Sequence, residues 1–430
     1  MRPSRTVLVA LESRLVRAGD GWIYSSTGVD GYPFWQRYRE VFETVLVAAR
    51  TQDGAMRGPV PCASHGPVPV EGPGVRVVPL PTYVGPWEYV AVRHRLIAAL
   101  RAGVAQADVL CLRAPGAIAG AAWRLRGTRP VGVEVVGDPH DALAPGVVRS
   151  TLRPLARALL VRELRVMCAG ATAVAYVSRE RLPQRYPAGA WWTVCSSIDL
   201  DDDAFASAAE LAARVTRLRT RRDADAPWHL VFVGSLAQLY KGPDLLIDAV
   251  ARCRAAGLAL ALTIVGDGRH RAALETEAAA RGLAGAIHFT GQLGAGPAVR
   301  AVVDAADLFV LPSRTEGMPR AVLEAMARGV PCLGSHVGGI PELLPAERLV
   351  APGAAAALAA ALTRVLADRD ALAAAAVRDH ALARTYHAEH LRPRRRELYE
   401  RLHAATVDAG RAPRNASHSV EREPRVEAFA

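Results

Sequence analysis

Two glutamates with seven residues between them, Glu316 and Glu324, carry the clearest chemistry in this sequence. They bracket a glycine-proline turn, Gly317-Met318-Pro319, that runs through Arg320 into a helix-forming stretch. Pro319 suits a first helical turn, where its missing N–H costs nothing. The unpaired backbone N–H groups of Gly317 and Met318, with the positive helix end, would then face an anionic or hydroxyl-rich ligand. A carboxylate accepts two hydrogen bonds from neighbouring hydroxyls, so Glu324, about two turns along, suits a diol. A helix-start acid followed by an ordinary helical glutamate has the same spacing, and spacing alone does not separate the two readings.

Lys241 is the only lysine among 53 basic residues. Under a bias this strong, either one lysine survived by chance or it stays where a compact ammonium on a flexible stem works and a broad guanidinium does not, and the second reading is preferred. His140 follows the apolar run Val131–Val136 in a loop with Asp138 and Asp141, where a bond to a sugar hydroxyl and an ordinary surface histidine are equally open. Gly19, Gly21, Gly28 and Gly31 permit close backbone approach to a phosphate but match no fingerprint. Val265-Gly266-Asp267-Gly268 has Arg271 where a dinucleotide loop needs its third glycine. Asp201-Asp202-Asp203 and Asp223-Ala224-Asp225 read as solvated charge runs, and six scattered cysteines, Cys62 among them, form no C-x-x-C pair. No metal and no cofactor are expected, and a reducing cytoplasm fits.

Short apolar runs alternate with helical stretches throughout. The first half has runs at 6–11, 45–49, 75–80, 109–112, 131–136, 171–177 and 192–196, with helices expected over 87–101, 117–126 and 148–168. The second half repeats the pattern from 229 to 335 and ends in alanine-rich helices. Such alternation implies βαβ units and parallel sheets, with ligands at the carboxyl ends of the strands. The expected fold class is α/β. Its parts are a first Rossmann-like domain (1–200), a polar linker (201–227), a second Rossmann-like domain (228–375), a helix returning to the first (376–410) and a disordered tail (411–430).

The chain of 430 residues is too long for one ordinary core. No uncharged apolar stretch of about 18 residues is present to span a bilayer, and the first ten residues read as a strand rather than a leader. The charge is uneven: residues 1–200 hold 24 basic and 15 acidic residues, the remainder 29 and 27. Aromatics are 6%, without the basic-aromatic stripe that stacks bases, so nucleic acid is not expected. An anionic membrane surface suits the basic first half better. Arg149, Arg153, Arg157, Arg162 and Arg165 run beside Leu152, Leu155, Leu159 and Leu164. Such a basic amphipathic helix either lies on anionic lipid or packs its leucines on the sheet with its arginines in solvent, and the second arrangement is expected.

Glu316 and Glu324 resemble the E-x7-E motif of glycosyltransferase family 4, a retaining family with the GT-B fold of two Rossmann-like domains facing across a cleft. The flanks agree: Phe309-Val310-Leu311-Pro312-Ser313 before, Glu324-Ala325-Met326-Ala327-Arg328-Gly329-Val330-Pro331-Cys332 after, then Gly338-Gly339-Ile340-Pro341-Glu342. Phe232-Val233-Gly234-Ser235-Leu236 and Tyr240-Lys241-Gly242-Pro243-Asp244 resemble the family's donor-phosphate segment. Gly137-Asp138-Pro139-His140-Asp141 and Arg185-Tyr186-Pro187 resemble a bacterial exopolysaccharide subgroup.

The resemblance implies that Glu324 holds ribose hydroxyls, Glu316 and the N–H groups of Gly317 and Met318 meet the transferred sugar, and Lys241 neutralises the diphosphate. Gly234, Ser235 and Gly266 would lie near the nucleotide, with Ser235 where the family usually has arginine and Arg320 a candidate replacement. It implies transfer from a nucleotide sugar, UDP-linked before GDP-linked, to a hydroxyl of a glycan, lipid-linked or small-molecule acceptor, on the cytoplasmic face of a membrane. The rivals are a sugar-nucleotide epimerase or phosphorylase on the same fold, and a non-catalytic binding scaffold.

Overall fold

The computed structural model describes residues 5–25, 30–54, 69–144, 151–198, 200–222, 226–294 and 296–411. Gly28, Cys62, Arg149, Asp223-Ala224-Asp225 and all of the expected tail after 411 lie outside these residues.

The first domain runs β1 (Thr6–Arg17), β2 (Ile23–Ser25), α1 (Tyr32–Arg39), β3 (Thr44–Asp53), β4 (Val75–Leu80), α2 (Gly85–Ala105), β5 (Val109–Ala114), α3 (Ala117–Leu125), β6 (Val131–Val135), α4 (Pro139–Ala142), α5 (Arg153–Gly170), β7 (Ala173–Tyr176), α6 (Arg181–Arg185) and β8 (Trp191–Val194). Its sheet is ordered β4-β3-β1-β5-β6-β7-β8, parallel throughout, with β2 antiparallel beside β1. Val7–Leu11 and the whole of β6 are buried, as expected for strands covered by helices on both faces. The crossovers through α2, α3 and α5 all advance the same way across the sheet. Right-handedness therefore lays these helices side by side on one face.

The chain then forms α7 (Ala208–Thr220), β9 (Trp228–Val233), α8 (Pro243–Ala255), β10 (Leu260–Val265), α9 (Arg271–Ala280), β11 (Ile287–Gly291), α10 (Pro297–Asp304), β12 (Leu308–Leu311), α11 (Arg320–Ala327), β13 (Cys332–Ser335), β14 (Leu349–Val350), α12 (Ala355–Ala367), α13 (Arg369–Arg384) and α14 (Ala388–Arg411). The second sheet is parallel and ordered β11-β10-β9-β12-β13-β14. α14 crosses back to the first domain. There Tyr399 stacks on Tyr38 of α1 with ring centroids 4.6 Å apart, and Leu402 covers Gly132 of β6.

Three expectations need correction. The stretch read as a linker contains α7, opened by a reciprocal cap between Ser207 and Glu210. Its Arg214 is buried, because it satisfies the carbonyls of Ala306 (2.7 Å) and Asp304 (3.0 Å). α13 packs on α7 and α11, so the return to the first domain begins at α14 rather than at residue 376. In α5 the polarity is reversed: Leu152, Leu155 and Leu159 are exposed, whereas Arg153 and Arg157 turn inward to Leu143 and His140. Only Leu164, Met167 and Cys168 of this helix are buried.

Candidate active site

A cleft of about 970 Å³ lies between the domains, at the carboxyl ends of β6, β9 and β12. Two loops build its second-domain wall. The loop after β12 carries Ser313, Glu316, Gly317 and Met318 into α11, and a single 3-10 turn, Leu239–Lys241, carries Lys241 into α8. Arg314 laces them together. It donates to Asp244 from both terminal nitrogens (2.9 and 2.6 Å) and to the Leu239 carbonyl (2.7 Å), while its N–H bonds to Tyr240 O (2.6 Å). Gly242 adopts φ +76° at the start of α8, and a Cβ there would sit 2.2 Å from Pro312 O. Lysine and glutamate are thereby brought together: Lys241 Nζ donates to Glu316 Oε1 at 3.0 Å, and Ser313 Oγ donates to the same oxygen at 2.8 Å.

Burial works against the Lys241 ammonium, but Glu316, Tyr240 and Glu324 outweigh it and hold its pKa above the usual lysine value. Lys241 therefore stays charged at neutral pH. Glu324 sits in the first turns of α11 with Arg320 3.4 Å away. Burial raises its carboxyl pKa, against the pull of Arg320 and Lys241. Among the described residues the N–H groups of Gly317 and Met318 have no protein partner. Both residues line the cleft, a ready donor pair for an anion or hydroxyl. Pro319 is the N-cap of α11 rather than its first helical residue.

Not every expected residue reaches the cleft lining. Gly234, Lys241, Glu316, Gly317, Met318, Arg320 and Glu324 do; Ser235, Gly266, Pro319 and His140 do not. Ser235 accepts the Ala237 N–H at 3.2 Å and supplies no charge. Gly266, at φ +144°, lets β10 pass Gly234 O, where a Cβ would come within 1.9 Å. The His140 ring is engaged by its neighbours: its Nδ1 faces Asp141 Oδ1 at 2.9 Å and its Nε2 meets Arg157. Asp138, which does line the cleft, accepts from the His140 N–H (2.9 Å), from Tyr186 Oη (2.5 Å) and from Arg185. The two first-domain motifs thus meet each other. Asp138, His140 and Asp141 are close enough to share a cation, but Arg157, Arg181 and Arg185 already engage them.

Two contacts across the cleft were not legible in the sequence. Glu342 accepts the backbone N–H groups of Arg179 (2.7 Å), Glu180 (3.3 Å) and Arg181 (3.4 Å) at the start of α6. Gly317 lies so near β6 that an added Cβ would be 2.4 Å from Val136 O. Gly338 and Gly339 brace the loop from beneath, the Gly339 N–H donating to Gly317 O at 2.6 Å.

Two parallel Rossmann-like sheets facing across such a cleft, with a last helix returning to the first, define the GT-B fold. Sucrose-phosphate synthase from Thermosynechococcus elongatus superposes with a TM-score of 0.67 at 20% identity, covering 94% of this chain and 100% of that one. HepE of Anabaena, solved in complex with UDP-glucose, superposes at 0.60 and 20% identity over 93% of this chain and 100% of that one. Protein CapJ of Staphylococcus aureus is 24% identical over 332 residues, 76% of this chain and 78% of that one. Two further curated relatives are matched over only 36% and 38% of their own length. Residues 227–368, nearly the whole second domain, match the family described as Glycosyl transferases group 1.

Proposed function

We propose that this protein moves a sugar from a nucleoside-diphosphate donor to a hydroxyl of a glycan, lipid-linked or small-molecule acceptor in bacterial polysaccharide assembly. UDP-sugar is preferred over GDP-sugar, in keeping with the UDP-glucose bound to the HepE neighbour. The carrying observation is convergence on one cleft: a charged lysine paired with Glu316, two free N–H groups at Gly317 and Met318, and Glu324 beyond them. Departure of a nucleoside diphosphate builds negative charge on phosphate and positive charge on the sugar. Lys241 and Arg320 suit the first, and the Glu316 carboxylate suits the second. The chemistry matches the group 1 match better than epimerisation, phosphorolysis or mere binding does. The acceptor hydroxyl attacks from the face the diphosphate leaves, its proton passes to the departing phosphate, and the anomeric configuration is retained. Product analysis by NMR should show one linkage with the donor's anomeric configuration; an inverted linkage discards this route. The reaction belongs on the cytoplasmic side, at the membrane surface.

The donor half of the reading is tested by thermal stabilisation. UDP at about 100 times its dissociation constant should add roughly 2.7 kcal/mol, a shift of several degrees, and GDP or ADP should add less. Glu324→Ala should abolish the shift while keeping the apo midpoint; an equal shift in the variant removes Glu324 from the site. A pH series sharpens this. A ribose diol is held by the carboxylate form, so nucleotide affinity should fall as pH drops through a Glu324 pKa raised above the ordinary glutamate value. Apo stability should move the other way, since a raised pKa means the fold favours the proton. Glu324→Gln should flatten the binding profile.

A further inference from the structure

Helices over a doubly wound sheet normally turn their apolar side inward, and α2 and α5 do so only in part. Trp87 is 80% exposed, and Val84 and Val90 beside it are exposed too. At helical spacing, Trp87, Val90, Ala91 and His94 share one outward face of α2. On α5, Leu152, Leu155 and Leu159 are 63%, 60% and 56% exposed and continue outward to Arg162 and Val166. α3 lies between the two helices, touching α2 and reaching α5 through Arg124–Glu163. One layer therefore presents two apolar ridges to solvent.

Cations accompany those ridges. Arg93, Arg95 and Arg101 on α2 and Arg162 on α5 are exposed and have no partner among the described residues. Arg165 is exposed and, among the described residues, reaches the Arg185 carbonyl alone. The acids nearby are engaged: Glu88 caps the Val84 N–H at 2.6 Å, and Glu163 holds Arg124. The layer also borders the cleft. α5 begins where Arg153 donates to Leu143 O (2.9 Å), beside the α4 turn whose Asp138 and Ala142 line the cleft. The approach to α2 is tied by Tyr83 Oη to Glu12 (2.7 Å), which also accepts the Ile118 N–H at the start of α3 (2.9 Å).

We propose that this α2–α5 face docks on an anionic lipid surface, with its apolar ridges in the headgroup region and its arginines on lipid phosphates. Exposed tryptophan and leucine beside unpaired arginines is the chemistry of interfacial helices. A second copy would bring arginine against arginine, and an acidic protein would leave the leucine ridge uncovered. Docking here holds the cleft rim against the membrane, where an acceptor carried on a lipid enters. Only this last step rests on the transferase reading.

The test sediments the full chain with sucrose-loaded vesicles of phosphatidylcholine alone, or mixed equally with phosphatidylglycerol. The native protein should pellet with the mixed vesicles and remain in solution with the neutral ones. Combined Trp87→Ser, Leu155→Ser and Leu159→Ser should lower the bound fraction at least about tenfold. Combined Arg93→Gln, Arg95→Gln and Arg101→Gln should remove the preference for phosphatidylglycerol. Both variants should keep the native UDP-induced thermal shift, which reads the second domain and certifies the fold. Docking is overturned if the native chain ignores both vesicles, if the serine variant binds as well as native, or if native is a dimer that the serine variant dissociates. Failure of vesicle binding beside an intact UDP shift leaves the transferase reading standing; loss of the shift in native protein strikes that reading instead.

Discussion

Lys241→Ala is expected to lower kcat for sugar transfer by about 10²–10³-fold, the loss typical of removing one preorganised group from a developing anion. The lysine is fixed before substrate arrives. Its ammonium sits 3.0 Å from Glu316, and its stem runs so close to Gly234 that a Cβ there would lie 2.5 Å from Lys241 Cδ. Without it, Glu316 keeps only the Ser313 hydroxyl and repels the diphosphate. Lys241→Arg should recover little, because the passage beside Gly234 leaves no room for a planar fork. That result would explain why one lysine persists in a chain that otherwise uses arginine. Steady-state kinetics with a UDP-sugar checks this. A kcat within about threefold of native for Lys241→Ala would remove the lysine from the transition state.

The central strands were legible because they are buried on both sides and read as unbroken apolar runs, as in Leu308–Leu311 of β12; the edge strand β4, only partly buried, still begins and ends where its run does. The two loops that carry Glu316 and Lys241 were legible because each is a short, contiguous motif. Contacts between distant segments were not. Arg314 and Asp244 are 70 residues apart, and Glu342 meets α6 from about 160 residues away. Neither residue type nor local spacing announces such partners. α7 was missed because its arginines look solvated, although Ser207 and Glu210 are a capping box that could have been read. α5 was misjudged because a leucine stripe ordinarily faces a sheet; here the arginines between the leucines find polar partners at the cleft rim and turn the stripe outward. For His140 the loop position left a sugar contact and a surface histidine equally open, and its ring partners, Asp141 and Arg157, come from contacts the loop sequence does not announce.

Gly317→Val separates donor binding from transfer. Gly317 belongs to the second-domain loop, yet the atom its side chain would strike is Val136 O of the first domain, 2.4 Å from an added Cβ. Its backbone has no left-handed φ that would exclude other residues, so the variant folds without local strain. What it forbids is the approach of the domains, which Glu342 otherwise secures on the N–H groups at the start of α6. Displacing reacting groups by about 1 Å costs on the order of 10²-fold in rate. Transfer should therefore fall at least that far, while the UDP-induced thermal shift, generated within the second domain, stays close to native. Gly317→Ala should fall between the two. If the valine variant turns over normally, the cross-cleft contact is dispensable and the reacting groups are aligned within one domain. If it loses UDP binding as well, Gly317 acts through the donor loop itself rather than through closure.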